Sequence, residues 1–106
     1  MMVFCLMLSA TQQKTTKQIS IPVLVQHSAT LSWSDNDTNV AYHVYRSTTS
    51  GSGYIMITVS PVVPKSYVDL TIQSGITYYY VITAFDISTG LESGYSNEVT
   101  AVVPLP

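Results

Sequence analysis

The sequence is poor in charge: only 9% of its 106 residues are Asp, Glu, Lys or Arg, against about 25% in an average soluble domain. Disordered chains and coiled coils need far more charge, so both classes are excluded. Four Lys and Arg against six Asp and Glu give a net charge of −2. No basic surface for nucleic acid is therefore expected.

Cysteine is nearly absent, and long apolar runs are absent. Cys5 is the single cysteine, so no internal disulfide bond forms and the core alone must stabilise the fold. No apolar run reaches the roughly 18 residues that a membrane-spanning helix needs. A chain of this length corresponds to one domain of the usual size.

The patterns of metal, phosphate and nucleophile sites are missing as well. His27 and His43 lack the closely spaced partners of a zinc site, and we interpret them as surface residues. The run 35–37 lacks the later Gly and Glu of a calcium loop, which favours a turn closed by an Asx hydrogen bond. The run 51–53 has no following helix or lysine to hold phosphate. We therefore predict that the chain is not an enzyme and has no cofactor.

The amino end begins with eight consecutive apolar residues, which are followed by Ser9, Ala10 and a polar stretch. An apolar stretch of this length before small residues is typical of a secretory signal peptide, although the basic start is missing. We interpret residues 1–18 as a signal-like apolar segment and a polar linker, without which the domain is expected to fold. Two alternatives stay open. Residues 1–10 are retained and dock into a neighbouring subunit, or the apolar segment forms a buried strand or helix of the main fold.

The remaining sequence favours strands over helices. Eight tyrosines and many Thr and Val residues have high β propensity. Short β-type runs recur at intervals of about ten residues, the spacing of a β-sandwich. Pro22 makes the first of them an edge strand or a bulge. The seven runs are 19–25, 27–33, 41–46, 54–59, 66–70, 77–85 and 97–103. Residues 19–103 are thus predicted to form one domain, and 104–106 begin a C-terminal linker.

Several of these runs resemble a fibronectin type III domain of the kind found in secreted bacterial proteins. The resemblance is carried by the runs 31–33, 42–46, 72–78, 80–84 and 92–98. It implies an all-β, seven-stranded, immunoglobulin-like sandwich in which Trp33 fills the middle of the core. It further implies that Tyr78 forms a tyrosine corner, with its hydroxyl bonded to backbone a few residues upstream. Gly75 would allow the tight connection before that tyrosine.

The alternation of side chains divides the residues between core and surface. The predicted core consists of Leu31, Trp33, Tyr42, Val44, Ile72, Tyr78, Tyr80, Ile82, Ala84 and Val99. Tyr45 and Arg46 are expected to cover an exposed face. The candidate binding surface consists of Tyr45, Tyr54, Tyr79 and Tyr95, although cross-strand stacking explains these tyrosines equally well.

We interpret the chain as a non-catalytic spacer or protein-interaction domain of an exported or cell-surface protein, with neighbouring domains or proteins as partners. Two alternatives stay open. The first is a structural subunit of an extracellular assembly that docks through residues 1–10. The second is an accessory carbohydrate-binding domain of a secreted hydrolase.

Overall fold

The computed structural model describes residues 8–17 and 24–105, which form two packed antiparallel sheets without a helix. The strands are β1 (Leu8–Lys17), β2 (Leu24–Trp33), β3 (Val40–Ser47), β4 (Ile55–Met56), β5 (Ser66–Asp69), β6 (Thr77–Asp86) and β7 (Val99–Val102). One sheet has the order β1-β2-β5 and the other has the order β4-β3-β6-β7. The predicted all-β, immunoglobulin-like sandwich is confirmed, and β4 is only two residues long.

The first strand differs from the prediction. Leu8–Lys17 pairs with β2 over its whole length, from Leu8 opposite Trp33 to Lys17 opposite Leu24. The assignment of residues 8–17 to a leader and linker outside the domain is therefore wrong. The reason is that an edge strand is held by backbone N–H and C=O groups, which polar residues supply as well as apolar ones.

Several predictions at the amino end fall on residues that the structure does not describe. The predicted strand 19–25 is described only from Leu24, where β2 begins. Residues 1–7, with Cys5, and residues 18–23, with Pro22, lie outside the described residues. At the other end, β7 closes the sheet at Val102, and Pro106 lies outside the described residues.

The core lies between the inner faces of the two sheets. Of the ten predicted core residues, nine are less than a tenth exposed, and Val99 is partly buried against them. Trp33 packs edge to face on Tyr42, with ring centroids 5.3 Å apart. The prediction omitted four further members of the core, which are Ala29, Val40, Ala101 and Val103.

Tyr78 forms the predicted tyrosine corner. Its hydroxyl accepts a hydrogen bond from the Gln73 backbone N–H at 3.0 Å, which confirms the prediction. Gly75 lies in the connection between them with a φ of 77°, a conformation that favours glycine. Its N–H donates to the Val103 carbonyl at 3.1 Å, so the corner is fastened to the end of the chain beyond β7.

Arg46 does not cover an exposed face as predicted. Its Nη1 lies 2.8 Å from Oδ2 of Asp69, a carboxylate whose side chain is 2% exposed. The guanidinium carbon stacks 4.9 Å above the centre of the Tyr78 ring, and the Tyr80 hydroxyl donates to the same carboxylate oxygen. The period of two along β3 explains the difference, since it puts Arg46 on the same side as the core residue Val44.

Candidate binding surface

Three tyrosines meet on the outer face of the four-stranded sheet. The ring of Tyr95 packs edge to face against Tyr45, with centroids 5.2 Å apart and planes at 71°. It packs in the same way against Tyr54, at 5.1 Å and 64°. We call these three residues the tyrosine cluster. Tyr45 belongs to β3, Tyr54 precedes β4, and Tyr95 lies between β6 and β7.

Two serines hold Tyr95 in place. The N–H groups of Ser93 and Ser96 donate to the carbonyls of Ala84 and Ile82 in β6, each at 2.8 Å. Their hydroxyls accept the N–H groups of the same two residues, at 2.8 Å and 2.9 Å. The segment around Tyr95 is therefore bonded along β6 at both sides of the tyrosine, and the ring itself remains 55% exposed.

Glu92 connects the cluster to the sheet beneath it. Its Oε2 atom accepts hydrogen bonds from the Tyr45 hydroxyl and from Thr83 Oγ1, the latter at 2.5 Å. Thr83 is on β6 and only 3% exposed although it faces away from the core. The outer face of the sheet thus carries a second packed layer at this point.

Glu98 performs a different task at the other side of the cluster. Its carboxylate accepts hydrogen bonds from the Tyr54 hydroxyl, from the Gly51 N–H at 2.8 Å and from the Ser50 hydroxyl at 2.7 Å. Both carboxylate oxygens are engaged in these bonds. Glu98 therefore fixes the loop between β3 and β4 and positions Tyr54.

The hydrogen bonds between tyrosines and carboxylates shift the pKa values of both partners. Burial and the bond to Glu92 raise the pKa of Tyr45 to about 12. Burial alone would raise the pKa of Glu92, but the bonds from Thr83 and Tyr45 and the nearby His43 lower it below its usual value. The bond from Tyr54 lowers the pKa of Glu98. At neutral pH the Tyr45 phenol is therefore protonated, and the Glu92 and Glu98 carboxylates are ionised.

A cavity of about 180 Å³ opens beside the cluster. It is lined by Tyr45, Thr83, Glu92, Ser93, Gly94 and Tyr95. A second cavity of about 240 Å³ lies near Arg46 and Tyr78 at the β3–β4 side of the sandwich. Of these two cavities, the first is lined both by members of the tyrosine cluster and by a carboxylate.

The structure brings together three of the four tyrosines predicted as a binding surface. Tyr79 lies on the same outer face, opposite Ser47 in β3 and Thr100 in β7. Among the described residues it makes no ring contact with the cluster. Glu92 and Glu98 were not predicted as members of the site. The sequence feature that could have indicated them is their position at the two ends of the run 92–98, which contains Tyr95.

The two histidines are not the surface residues that were predicted. His27 is 4% and His43 8% exposed. His27 Nε2 lies 3.0 Å from Ser74 Oγ, and His43 Nδ1 lies 2.9 Å from Thr58 Oγ1. Within the part of the chain that the structure describes, no group of three His, Cys, Asp or Glu residues could hold a metal ion.

The Asp35 turn has the predicted Asx hydrogen bond, donated by the Asp37 N–H to Asp35 Oδ1 at 3.1 Å. The second carboxylate oxygen of Asp35 accepts the Tyr42 hydroxyl at 3.0 Å. The side chain is thus occupied in holding the turn against the core.

Among residues 8–17 and 24–105, no helix is long and apolar enough to cross a membrane.

The chain is similar in sequence to segments of amylopullulanases. It is 43% identical over 76 residues to the enzyme of Thermoanaerobacter thermohydrosulfuricus and 37% identical over 76 residues to that of Thermoanaerobacterium thermosulfurigenes. Each match covers 72% of this chain. The chain spans only 5% and 4% of the length of these two relatives. No family model matches the chain.

Solved structures include similar folds. An Fn3-like protein from Clostridium thermocellum superposes with a TM-score of 0.62 and 32% identity, covering 74% of this chain and 79% of that protein. A pectate lyase from Erwinia chrysanthemi gives 0.59 and 25%, covering 87% of this chain and 28% of the enzyme. A β-1,2-glucanase from Parabacteroides distasonis shares the fold alone, at 0.63 and 23%, with 100% of this chain and 14% of the enzyme covered.

Proposed function

The chain belongs to the fibronectin type III family, and from this premise we propose that it is a non-catalytic accessory module. In this proposal it acts as a spacer or protein-interaction domain within an exported or cell-surface protein. Its role is geometric, because it holds neighbouring domains at a fixed separation and presents loops to them.

The observation that carries this proposal is that the chain corresponds to only a small fraction of the length of the similar enzymes. The related segment is 5% of an amylopullulanase and 28% of a pectate lyase. These enzymes are named for reactions on different polysaccharides. A unit found in enzymes of different specificity does not supply the catalytic groups of any one of them, because function resides in the site rather than in the fold.

The buried polar side chains support the same role. His27 bonds to Ser74 and His43 to Thr58, each across two parts of the fold. Asp69 is held by Arg46, Thr71 and Tyr80. These side chains are engaged in joining strands and loops, which is a structural use of groups that could otherwise do acid–base chemistry.

The test is an assay of the full chain on pullulan, amylose and pectin, with release of reducing ends as the measurement. We expect no turnover. The proposal would be contradicted by release of reducing ends that co-purifies with the folded chain and is lost in a Glu92→Gln or His43→Ala variant. The folded state of each variant is verified by its thermal transition.

Carbohydrate binding is the second candidate function, and the exposed ring of Tyr95 favours it. Aromatic rings offer an apolar face and a polar edge to a ligand. The test is migration of the full chain in gels that contain pullulan or amylose, compared with the Tyr95→Ala variant. Retardation that the variant abolishes supports carbohydrate binding, and equal migration in all gels contradicts it.

Export is tested by mass spectrometry of the amino terminus of the mature protein. Cleavage after Ala10 would support a signal peptide, and it would also remove the first three residues of β1. An intact terminus would favour the assembly subunit. Residues 8–10 pair with β2 of their own chain, so a docking segment would then be confined to residues 1–7, which lie outside the described residues.

A further inference from the structure

We propose that the cavity beside the tyrosine cluster binds a guanidinium group, the side chain of an arginine on a neighbouring domain or protein. The cavity measures about 180 Å³, less than the roughly 300–1,000 Å³ of pockets that enclose a small-molecule ligand. It is therefore of a size for a single side chain. The inference rests on the proposed function only in that the module has a protein neighbour.

The carboxylate of Glu92, which lines this cavity, retains a free acceptor atom. Its Oε2 atom accepts both the Tyr45 and the Thr83 hydroxyl. Its Oε1 atom accepts no hydrogen bond from any residue that the structure describes. A planar guanidinium is the cation that donates to a carboxylate and stacks on an aromatic face at the same time.

The tyrosine cluster supplies that aromatic face. Tyr95 is 55% exposed, and it lines the cavity together with Tyr45. The negative face of an aromatic ring attracts a cation within about 6 Å of the ring centre. The cavity thus combines the two features that recognise an arginine, a carboxylate and an aromatic face.

Elsewhere in this chain, a carboxylate and a tyrosine ring together bind an arginine side chain. Arg46 lies 2.8 Å from the Asp69 carboxylate and stacks 4.9 Å above the Tyr78 ring. At the surface site, Glu92 takes the place of the carboxylate and Tyr95 that of the ring. The two cations with described side chains are bonded elsewhere, Arg46 as stated and Lys65 to the Asp35 carbonyl.

The charges around the cavity favour a cation over a neutral ligand. Glu92 and Glu98 both accept hydrogen bonds from the tyrosine cluster, and His43 is the titratable base that faces Glu92 from β3. At neutral pH this side of the sheet is therefore negative. A cationic side chain is attracted to it, and the attraction weakens as salt screens exposed charges.

The experiment is a nuclear magnetic resonance titration of the full ¹⁵N-labelled chain with N-acetyl-arginine amide. The matched ligand is N-acetyl-citrulline amide, which has nearly the same shape but no charge. We expect saturable shifts of the backbone amides of Thr83 and residues 92–95 with the arginine ligand, and much smaller shifts with the citrulline ligand. Added salt should weaken the arginine binding.

Four variants locate the binding. Glu92→Gln removes the charge, and Tyr95→Ala removes the ring, so each should weaken the arginine ligand about threefold to fivefold, the range for exposed ion pairs and cation–π contacts. Tyr95→Phe keeps the ring and should bind like the parent. Glu98→Gln is the matched control, because it removes one charge from the same face outside the cavity, and it should change affinity less than Glu92→Gln.

Each of the following outcomes would overturn the inference. The first is equal shifts from the arginine and citrulline ligands. The second is arginine-induced shifts spread over the whole surface, or equal losses in the Glu92 and Glu98 variants. The third is shifts at residues 92–95 with maltohexaose but none with arginine, which would favour carbohydrate binding. None of these outcomes bears on the turnover assay, so the proposed function would fail or stand separately.

Discussion

Trp33 fills the centre of the core, so its side chain is the one whose loss should cost most stability. It is 6% exposed and packs on the buried Tyr42. Replacement of a buried aromatic residue by Ala typically costs about 3–5 kcal/mol, a large part of the total of about 5–15 kcal/mol. We expect Trp33→Ala to unfold the domain or nearly so, as measured by urea denaturation.

The matched control is Trp33→Phe. The indole N–H of Trp33 is buried without a hydrogen-bond partner among the described residues. Phe removes this unpaired donor and keeps much of the ring, so it should be far less damaging than Ala. Similar losses in both variants, or a small loss in Trp33→Ala, would contradict the central position of this residue.

Tyr78 and Tyr79 are adjacent in sequence but face opposite sides of the sheet. Tyr78→Phe removes the acceptor of the Gln73 N–H and should cost roughly 0.5–1.5 kcal/mol, or more if the N–H stays unpaired. Tyr79→Phe should be close to neutral, because that ring is on the outer face of β6. Equal losses in chemical denaturation at the two positions would count against the tyrosine corner.

Individual residues were predictable where alternation and size agree. The inward positions of Leu31, Trp33 and Val44 follow from the period of two along β2 and β3. The same period puts His27 and Arg46 inside, but their polarity led to the opposite prediction. Their burial depends on partners distant in sequence, Ser74 and Asp69, and local pattern contains no information on these partners.

At the scale of the strands, β1 is the element that the sequence did not reveal. β2, β3 and β6 have apolar residues at every second position. The predicted bounds of β3 and β6 are within one residue of the observed ones, whereas β2, predicted as 27–33, begins three residues earlier, at Leu24. Leu8–Lys17 shows no such pattern beyond Ala10. Its position depends on the backbone of β2, so it is defined by a tertiary contact rather than by its own side chains.

The tyrosine cluster was predictable only in part, for a similar reason. Tyr45 was expected on an exposed face because of its place in β3. Its contact with Tyr95 depends on how the connection after β6 folds back along that strand, which the bonds of Ser93 and Ser96 determine. Such side chain to backbone bonds in a loop leave no periodic trace in the sequence.

The pairing of β1 leads to a prediction about truncation. Deletion of residues 1–17 removes the strand that pairs with β2 along its whole length, and it leaves the edge of β2 unpaired. We expect the melting temperature to fall by more than about 4 °C, which corresponds to about 1 kcal/mol for a domain of this size. Aggregation of the truncated chain would have the same meaning.

Deletion of residues 1–7 is the matched control, because it leaves β1 intact. Its melting temperature should stay close to that of the full chain. If the chain that begins at residue 18 melts like the full chain, β1 contributes nothing to stability. That result would favour a linker role for the polar part of residues 1–18, as the sequence predicts.

For the whole molecule, the carboxylates predict how stability depends on acid. The hydrogen bonds described above lower the pKa values of Asp69, Glu92 and Glu98 in the folded state. In the unfolded chain such groups titrate near about 4, so below that pH the unfolded state binds more protons. The stability that these hydrogen bonds contribute is therefore fully present above about pH 5. It is lost as the pH falls through the lower pKa values of the folded state.

Urea midpoints measured from neutral to acid pH provide the test. The parent chain should lose stability steadily in acid, and Glu92→Gln should show a shallower loss because one of the three groups is gone. A midpoint that stays constant into strong acid would show that these carboxylates interact equally in the folded and unfolded states.

The tyrosines predict a second loss of stability, at alkaline pH. Burial and the bond to Glu92 raise the pKa of Tyr45 to about 12, and burial also raises that of Tyr80. Tyrosine in an unfolded chain titrates near about 10. Between these pKa values the folded state keeps protons that the unfolded state releases. The stability that the tyrosine hydrogen bonds contribute is therefore fully present below about pH 10 and falls as the pH rises. Urea midpoints across this range should decline in the parent chain and decline less in Tyr45→Phe, which lacks one of the groups. Parallel declines would mean that the phenol of Tyr45 is as open to ionisation in the fold as in the unfolded chain, and that its bond to Glu92 does not persist in solution.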